Sequence, residues 1–295
     1  MFFGNVVTAM VTPFDQDGNV DFQATKTLLN HLLSNGTDAL VVAGTTGESP
    51  TLTTEEKLEL FQFVVTNVNG KVPVIAGTGS NNTAATIALT KKAEEIGVDA
   101  VMIVAPYYNK PSQEGMYQHF KAIAESTNLP VMIYNIPGRS AVNISAETTI
   151  RLSKIENIVC TKEASGDLDA MSTIIQETDE NFSLYSGDDS LTLPVLSIGG
   201  TGVVSVAAHV IGNEMQEMVT SFHAGDVKRA AAIHRHTLPT MKALFTAPNP
   251  SPVKAALEMK GVPCGSLRLP LLPLNEEERH QLQLVVQPTM TFYVS

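Results

Sequence analysis

Cysteine is scarce in this chain. Cys160 and Cys264 are the only two in 295 residues. They form no CxxC pair, which argues against a thiol-redox or cysteine-metal motif, and such sparse thiols fit a reducing cytoplasm. Basic residues are also few. Lys and Arg number 19 against 30 Asp and Glu, giving a net charge of −11. Nucleic acid and anionic membranes need clustered Lys and Arg, so neither is expected as a partner. No apolar run approaches the roughly 18 residues of a membrane span. The opening MFFGNVVTAMVTPFDQDG has no basic lead and is broken by Pro13 and Asp15, so it reads as a first strand and not as a signal peptide. The 7 histidines contain no HExxH pair, and no metal is expected.

What remains is an ordinary soluble composition, 43% hydrophobic and 17% charged, in a chain long enough to bury a large core. Short runs rich in Val and Ile fall at 5–11, 38–43, 73–77, 99–105, 130–134, 157–162, 183–186 and 202–206. Most are apolar on both faces, as parallel strands covered on both sides must be. Helical spacing fills the gaps at 22–35, 54–69, 83–96, 113–127, 145–155, 167–179, 189–198 and 209–223. Thr53-Thr54-Glu55-Glu56 and Ser145-Ala146-Glu147 read as helix starts, and Gly70 and Gly97 as stops. Eight strands alternating with eight helices predict an α/β fold, a (β/α)8 TIM barrel. A doubly wound open sheet is the alternative, but no GxGxxG loop follows the first strand. Residues 226–245, 251–260 and 275–286 look helical without further strands. The expected organisation is therefore a catalytic barrel at 1–225 and a C-terminal helical appendage at 226–295. The last residues, TMTFYVS, fit no pattern.

Barrel enzymes carry their chemistry at the C-terminal ends of the strands. Those ends read Gly44-Thr45-Thr46-Gly47-Glu48-Ser49, Pro106-Tyr107-Tyr108-Asn109-Lys110-Pro111, Tyr134-Asn135-Ile136-Pro137-Gly138-Arg139, Lys162, and Gly187-Asp188-Asp189. Read singly, each has an ordinary use. The Gly44–Gly47 run can be a tight turn, Tyr134 a core aromatic, Arg139 a surface charge, and Asp188-Asp189 a helix cap. A strand-end lysine usually carries its charge to solvent. Stripped of water, however, its pKa falls, and a neutral amine attacks ketones to form a Schiff base. Amine, phenol, paired hydroxyls and guanidinium around one barrel mouth suit addition to a 2-keto acid. A bidentate Arg suits a second carboxylate. Gly199-Gly200-Thr201-Gly202 precedes the eighth strand and reads as a turn at the barrel's other end. Gly77 to Asn82 is a weak anion-binding candidate.

GTTGES at 44–49, PYYNKP at 106–111, YNIPGR at 134–139 and CTKEASGD at 160–167 resemble the dihydrodipicolinate synthase family. VTAMVTPF, GGTGVVSV and RLPLLPL match as well, so the resemblance spans nearly the whole chain. It implies a Schiff-base lyase that condenses pyruvate with L-aspartate 4-semialdehyde in lysine and diaminopimelate biosynthesis. The alternative is a sister aldolase acting on a keto sugar acid such as N-acetylneuraminate or 2-keto-3-deoxygluconate. Arg139 favours the synthase, because the sugar lyases generally lack arginine there. By the same resemblance Lys162 carries the imine, Tyr134 moves protons, and Thr45 links Tyr134 to Tyr108 of a neighbouring subunit. Thr46 and the Val204 backbone hold pyruvate, Arg139 holds the semialdehyde carboxylate, and Gly187 leaves room near the imine. No cofactor is implied beyond the covalent lysine imine. A cytoplasmic homotetramer, built as a dimer of dimers, is implied, with a simple dimer as the variant. One departure stands out. Members inhibited by lysine have histidines and a glutamate where this chain has Thr54, Lys57 and Ala85, although Ser49, Asn81 and Tyr107 are kept. Weak or absent inhibition by lysine is therefore expected.

Overall fold

The computed structural model describes residues 3–286. The closing TMTFYVS lies outside the described residues. Eight parallel strands close into a barrel in sequence order. They are β1 Val6–Ala9, β2 Ala39–Val42, β3 Val74–Gly77, β4 Ala100–Val104, β5 Val131–Asn135, β6 Ile158–Glu163, β7 Ser183–Ser186 and β8 Gly202–Ser205. Around them run α1 Phe22–Leu33, α2 Thr54–Val68, α3 Thr83–Ile96, α4 Gln113–Ala124, α5 Pro137–Ser140, α6 Ala146–Leu152, α7 Leu168–Glu177, α8 Thr192–Ser197 and α9 Ala208–His223. Then come α10 Val227–Ala243, α11 Ser251–Met259 and α12 Glu276–Val286. The expected strands are all present, and β5 and β6 run one residue further than expected. Among the described residues, no helix is long and apolar enough to cross a membrane.

Local chemistry explains the boundaries. Thr53 caps α2 in a reciprocal box with Glu56, and Ser145 caps α6. Both arrangements satisfy backbone N–H groups that a helix start leaves free. Gly97 ends α3 at φ 90°. At the end of α2 the left-handed cap is Asn69, with Gly70 following it. The short α5 went unforeseen. Pro137 at its first position presets the helical φ.

Each strand sends one face inward and the other toward the helices. The inner face packs Val7, Val41, Ile75, Met102, Met132, Cys160, Tyr185 and Val204 into one cluster. The outer face, with residues such as Leu40, Val101 and Ile133, packs against Leu28, Phe61 and Phe120 of the helices. A bulge interrupts the β5–β6 ladder. Val131 pairs with Ile158, but Met132 pairs with Cys160 and Tyr134 with Lys162. The extra residue, Val159, sets the phase of everything after it on β6.

The C-terminal helices are tied to the barrel mouth. Lys254 on α11 sits with Nζ 2.7 Å from Glu48 Oε1, the two side chains being 3% and 1% exposed. Lys254 Nζ also donates to Ser266 O at 2.8 Å. The Arg268 N–H donates to Glu48 Oε2 at 3.0 Å, and its guanidinium pairs with Glu56. Lys254→Met leaves the Glu48 charge buried without its partner. It should cost about 3–5 kcal/mol of stability, read as a lower urea midpoint at unchanged m-value. Adding Glu48→Gln should recover much of that loss.

Candidate active site

Lys162 and Tyr134 are cross-strand partners on β6 and β5, so their side chains leave the ladder on the same, inward face. Lys162 is 5% exposed and Tyr134 3%. The lysine Nζ stands 4.1 Å from the centroid of the tyrosine ring. Burial lowers the Lys162 pKa from 10.5 to about 8; Asp189 opposes this shift and Arg139 adds to it. Roughly a tenth of the amine is then neutral at pH 7, against about one part in 2,500 for an ordinary lysine. The same burial pushes Tyr134 up to about 12, despite a hydrogen bond with Thr45 and the nearby Arg139 charge. Near neutral pH the phenol keeps its proton.

Asp189 is the counter-charge. Sequence alone suggests that Asp188 and Asp189 cap the next helix. Asp188 does so, accepting from Ser190 N at 2.8 Å. Asp189 is instead buried against the end of β8, 2% exposed. It accepts from the Ser205 hydroxyl and from the N–H groups of Val206 and Ala207 at 3.1 and 2.9 Å. Burial still raises its pKa against those hydrogen bonds. Glu163, next to Lys162, is likewise buried and raised, chiefly by desolvation. Asn135 Nδ2 bridges both its oxygens at 3.1 Å.

The remaining candidates fall around this pair. A cavity of about 510 Å³ opens at the mouth, lined in part by Thr45, Tyr107, Tyr108, Tyr134 and Arg139. Among the described residues, Lys57 and Arg139 are the only charged side chains in its lining. Lys162, Thr46, Gly187 and Val204 do not line it. Gly187 packs against the lysine stem: a Cβ there would stand 3.2 Å from Lys162 Cε and 2.7 Å from Ala164 Cβ. Val204 is 1% exposed on β8. Thr46 is 3% exposed, and its Oγ1 accepts from Asn249 Nδ2 at 3.0 Å. Tyr108 stands out at 88% exposed, in the left-handed region at φ 70°. Arg139 is exposed at the end of α5. Gly77 and Gly79 line the cavity, while Asn82 caps α3. No cluster of three or more His, Cys, Asp or Glu suited to a metal occurs among the described residues. Asp189, Glu163 and Asn249 are the neighbours that sequence reasoning missed.

A model of the dihydrodipicolinate synthetase family matches residues 2–289. The 4-hydroxy-tetrahydrodipicolinate synthase 1 of Halalkalibacterium halodurans is 64% identical over 295 residues, 100% of both chains. The crystal structure of a dihydrodipicolinate synthase from Bacillus anthracis superposes with a TM-score of 0.95 at 63% identity, covering 97% of this chain and 98% of that one. The enzyme from Cyanidioschyzon merolae, solved with lysine bound, gives 0.95 at 50% identity, covering 96% and 97%.

The Asp189 carboxylate favours the charged form of Lys162, so removing it favours the neutral one. In Asp189→Asn the amine should titrate below its present value of about 8. The check is the pH dependence of borohydride-trapped keto-acid adduct, whose rising limb should move to lower pH. An unmoved limb would show that Asp189 does not act on the amine.

Proposed function

The chain belongs to the dihydrodipicolinate synthetase family, and we propose that it condenses pyruvate with L-aspartate 4-semialdehyde to 4-hydroxy-tetrahydrodipicolinate, releasing one water. It is a lyase of the Schiff-base type, acting in lysine and diaminopimelate biosynthesis. The synthase name carried by relatives at 64–65% identity favours this over cleavage of a keto sugar acid. The observation that carries the residue roles is the buried Lys162 amine 4.1 Å above the Tyr134 ring.

In this reading the neutral Lys162 amine adds to C2 of pyruvate. Tyr134, holding its proton, donates it to the departing hydroxyl, and water leaves the carbinolamine. The resulting iminium draws electrons from C3, which loses a proton to give an enamine. The Tyr134 ring face and Asp189 stabilise the positive charge. The enamine carbon then attacks the aldehyde of the second substrate, whose own amine displaces Lys162 from C2 and closes the ring. Thr46 and the Val204 backbone hold the pyruvate carboxylate, Arg139 holds that of the semialdehyde, and Gly187 leaves the stem of the imine free. The electron sink is the lysine imine itself, so no cofactor is invoked. The barrel at 1–225 carries the chemistry and the helical region at 226–295 supports it. Tyr108, exposed on a single chain, suits a homo-oligomer in which it meets Thr45 of a neighbour. We favour a tetramer of two tight dimers, with a dimer as the variant, in the cytoplasm.

Borohydride reduction with pyruvate should trap an adduct that peptide mapping assigns to Lys162, and Lys162→Ala should abolish both adduct and turnover. Tyr134→Phe should slow turnover by about 10²-fold or more while pyruvate still binds. Arg139→Ala should raise the KM for the semialdehyde far more than that for pyruvate. An equal effect on both would remove the role given to Arg139. In wild type, kcat/KM for pyruvate should rise with pH toward a plateau above about 8, because the neutral amine is the nucleophile.

Ser49, Lys57 and Tyr107 line the same mouth, and Lys57 is already partly stripped of water, its pKa lowered by burial. A lysine ligand there would bring its ammonium beside a second cation, with no carboxylate among the described residues of the lining to pair with it. L-lysine should inhibit weakly or not at all. Half-inhibition at low micromolar lysine would contradict this.

A further inference from the structure

Thr46 receives a hydrogen bond from the far end of the chain. Asn249, in the turn between α10 and α11, donates from Nδ2 to Thr46 Oγ1 at 3.0 Å. Both side chains are buried, at 6% and 3% exposure. A threonine hydroxyl has two acceptor sites and one proton. With an amide donor occupying an acceptor site, the proton is directed away from Asn249. Among the described residues, no protein acceptor takes that proton. The other amide atom, Asn249 Oδ1, is buried without a partner among the described residues, so the contact with Thr46 is the one that orients the amide.

The same turn is held firmly. Ser251 N donates to Pro248 O at 2.9 Å and Lys254 N to Pro250 O at 3.0 Å. One turn of helix later, Lys254 grips Glu48, which closes the threonine loop at φ 55°. From the barrel side, Thr12 Oγ1 donates to Gly47 O at 2.7 Å. The loop is thus fixed from both sides, and among these contacts Asn249 is the one made to a side chain given a substrate-binding role in the reading above.

We propose that Asn249 is a positioning residue for pyruvate: its amide sets the Thr46 hydroxyl as a donor, so that the single proton of that hydroxyl is presented to the substrate carboxylate. This rests on the pyruvate reading of the site given above. It makes the C-terminal region part of the pyruvate subsite as well as a support for the barrel.

The test compares Asn249→Ala and Asn249→Asp, each with and without Thr46→Val, by steady-state kinetics in both substrates and by borohydride trapping across pyruvate concentrations. Asn249→Ala should raise the pyruvate KM by about tenfold, the scale of one hydrogen bond to a charged group. The semialdehyde KM and kcat should stay within about twofold. Asn249→Asp keeps the shape but replaces the donor with an acceptor, which takes the Thr46 proton for itself, so its pyruvate KM should rise further. It also keeps the test standing where the alanine variant folds poorly. In the Thr46→Val background, either change at Asn249 should alter the pyruvate KM by less than about twofold, because coupled residues do not act additively. An unchanged pyruvate KM in both single variants, or losses that simply add to those of Thr46→Val, would overturn the proposal. Failure of wild type to form any adduct at Lys162 would instead overturn the pyruvate reading on which it stands.

Discussion

Everything at this barrel mouth follows from keeping one amine out of water. A lysine on an exposed loop would be almost wholly protonated at neutral pH and useless as a nucleophile. Here the amine sits on the inner face of β6 at 5% exposure, and desolvation is the largest influence on its titration. The barrel makes that burial tolerable. The lysine stem lies among Tyr134, Gly187 and Ala164, and the buried Asp189 supplies the opposite charge. Without Asp189 the cost of charging the amine would climb further. Without burial there would be too little neutral amine. The value of about 8 is the balance between those two pressures.

Geometry delivers the lysine to its partner through an irregularity. In an unbroken ladder starting from the Val131–Ile158 pair, Tyr134 would stand opposite Thr161. The bulge at Val159 advances β6 by one residue and brings Lys162 opposite Tyr134. Because side chains alternate with period 2, the bulge also decides which β6 residues face inward. A strained or bulged strand beside a reactive group is a common use of this device. The loop after β2 has a different problem. It is only a turn, yet it is held in place and the Thr46 hydroxyl with it. A buried ion pair and hydrogen bonds from residues some 200 positions away in sequence do this.

How much of this was legible beforehand depends on the range of the forces involved. Strands such as 38–43 and 99–105 could be read because their apolar runs are local and their burial on both faces is a property of composition. Helix starts at Thr53 and Ser145 could be read because caps involve residues three apart. Lys162 and Tyr134 stood out as polar groups at the ends of apolar strands. The phase of β6 could not be read, since a bulge leaves no compositional trace when the extra residue is another valine. Asp189 was hidden for a related reason. Its neighbour Asp188 makes the cap that the pair suggests, and only the fold brings Ser205 and the 206–207 backbone to Asp189. Asn249 and Lys254 were beyond reach, because nothing within a window of twenty residues connects them to the threonine loop.

Shared burial sets the order in which the two groups titrate. Desolvation favours the neutral form of any group, so it lowers Lys162 to about 8 and raises Tyr134 to about 12. Two groups whose free values lie close together are thereby driven apart, and in a defined order. The amine gives up its proton first and the phenol keeps its own. Environments that separate paired titrating groups assign their roles as acid and base. That order matches the proposed roles, Lys162 as nucleophile and Tyr134 as acid, and the reverse assignment would require a phenolate on a buried tyrosine. Were the amine converted to the iminium of the proposed reaction, the balance would change. A positive charge would then lie over the ring, and it would favour ionisation of the phenol beneath it. In the proposed reaction Tyr134 thus becomes a better acid as the imine forms, at the step where the leaving hydroxyl needs a proton.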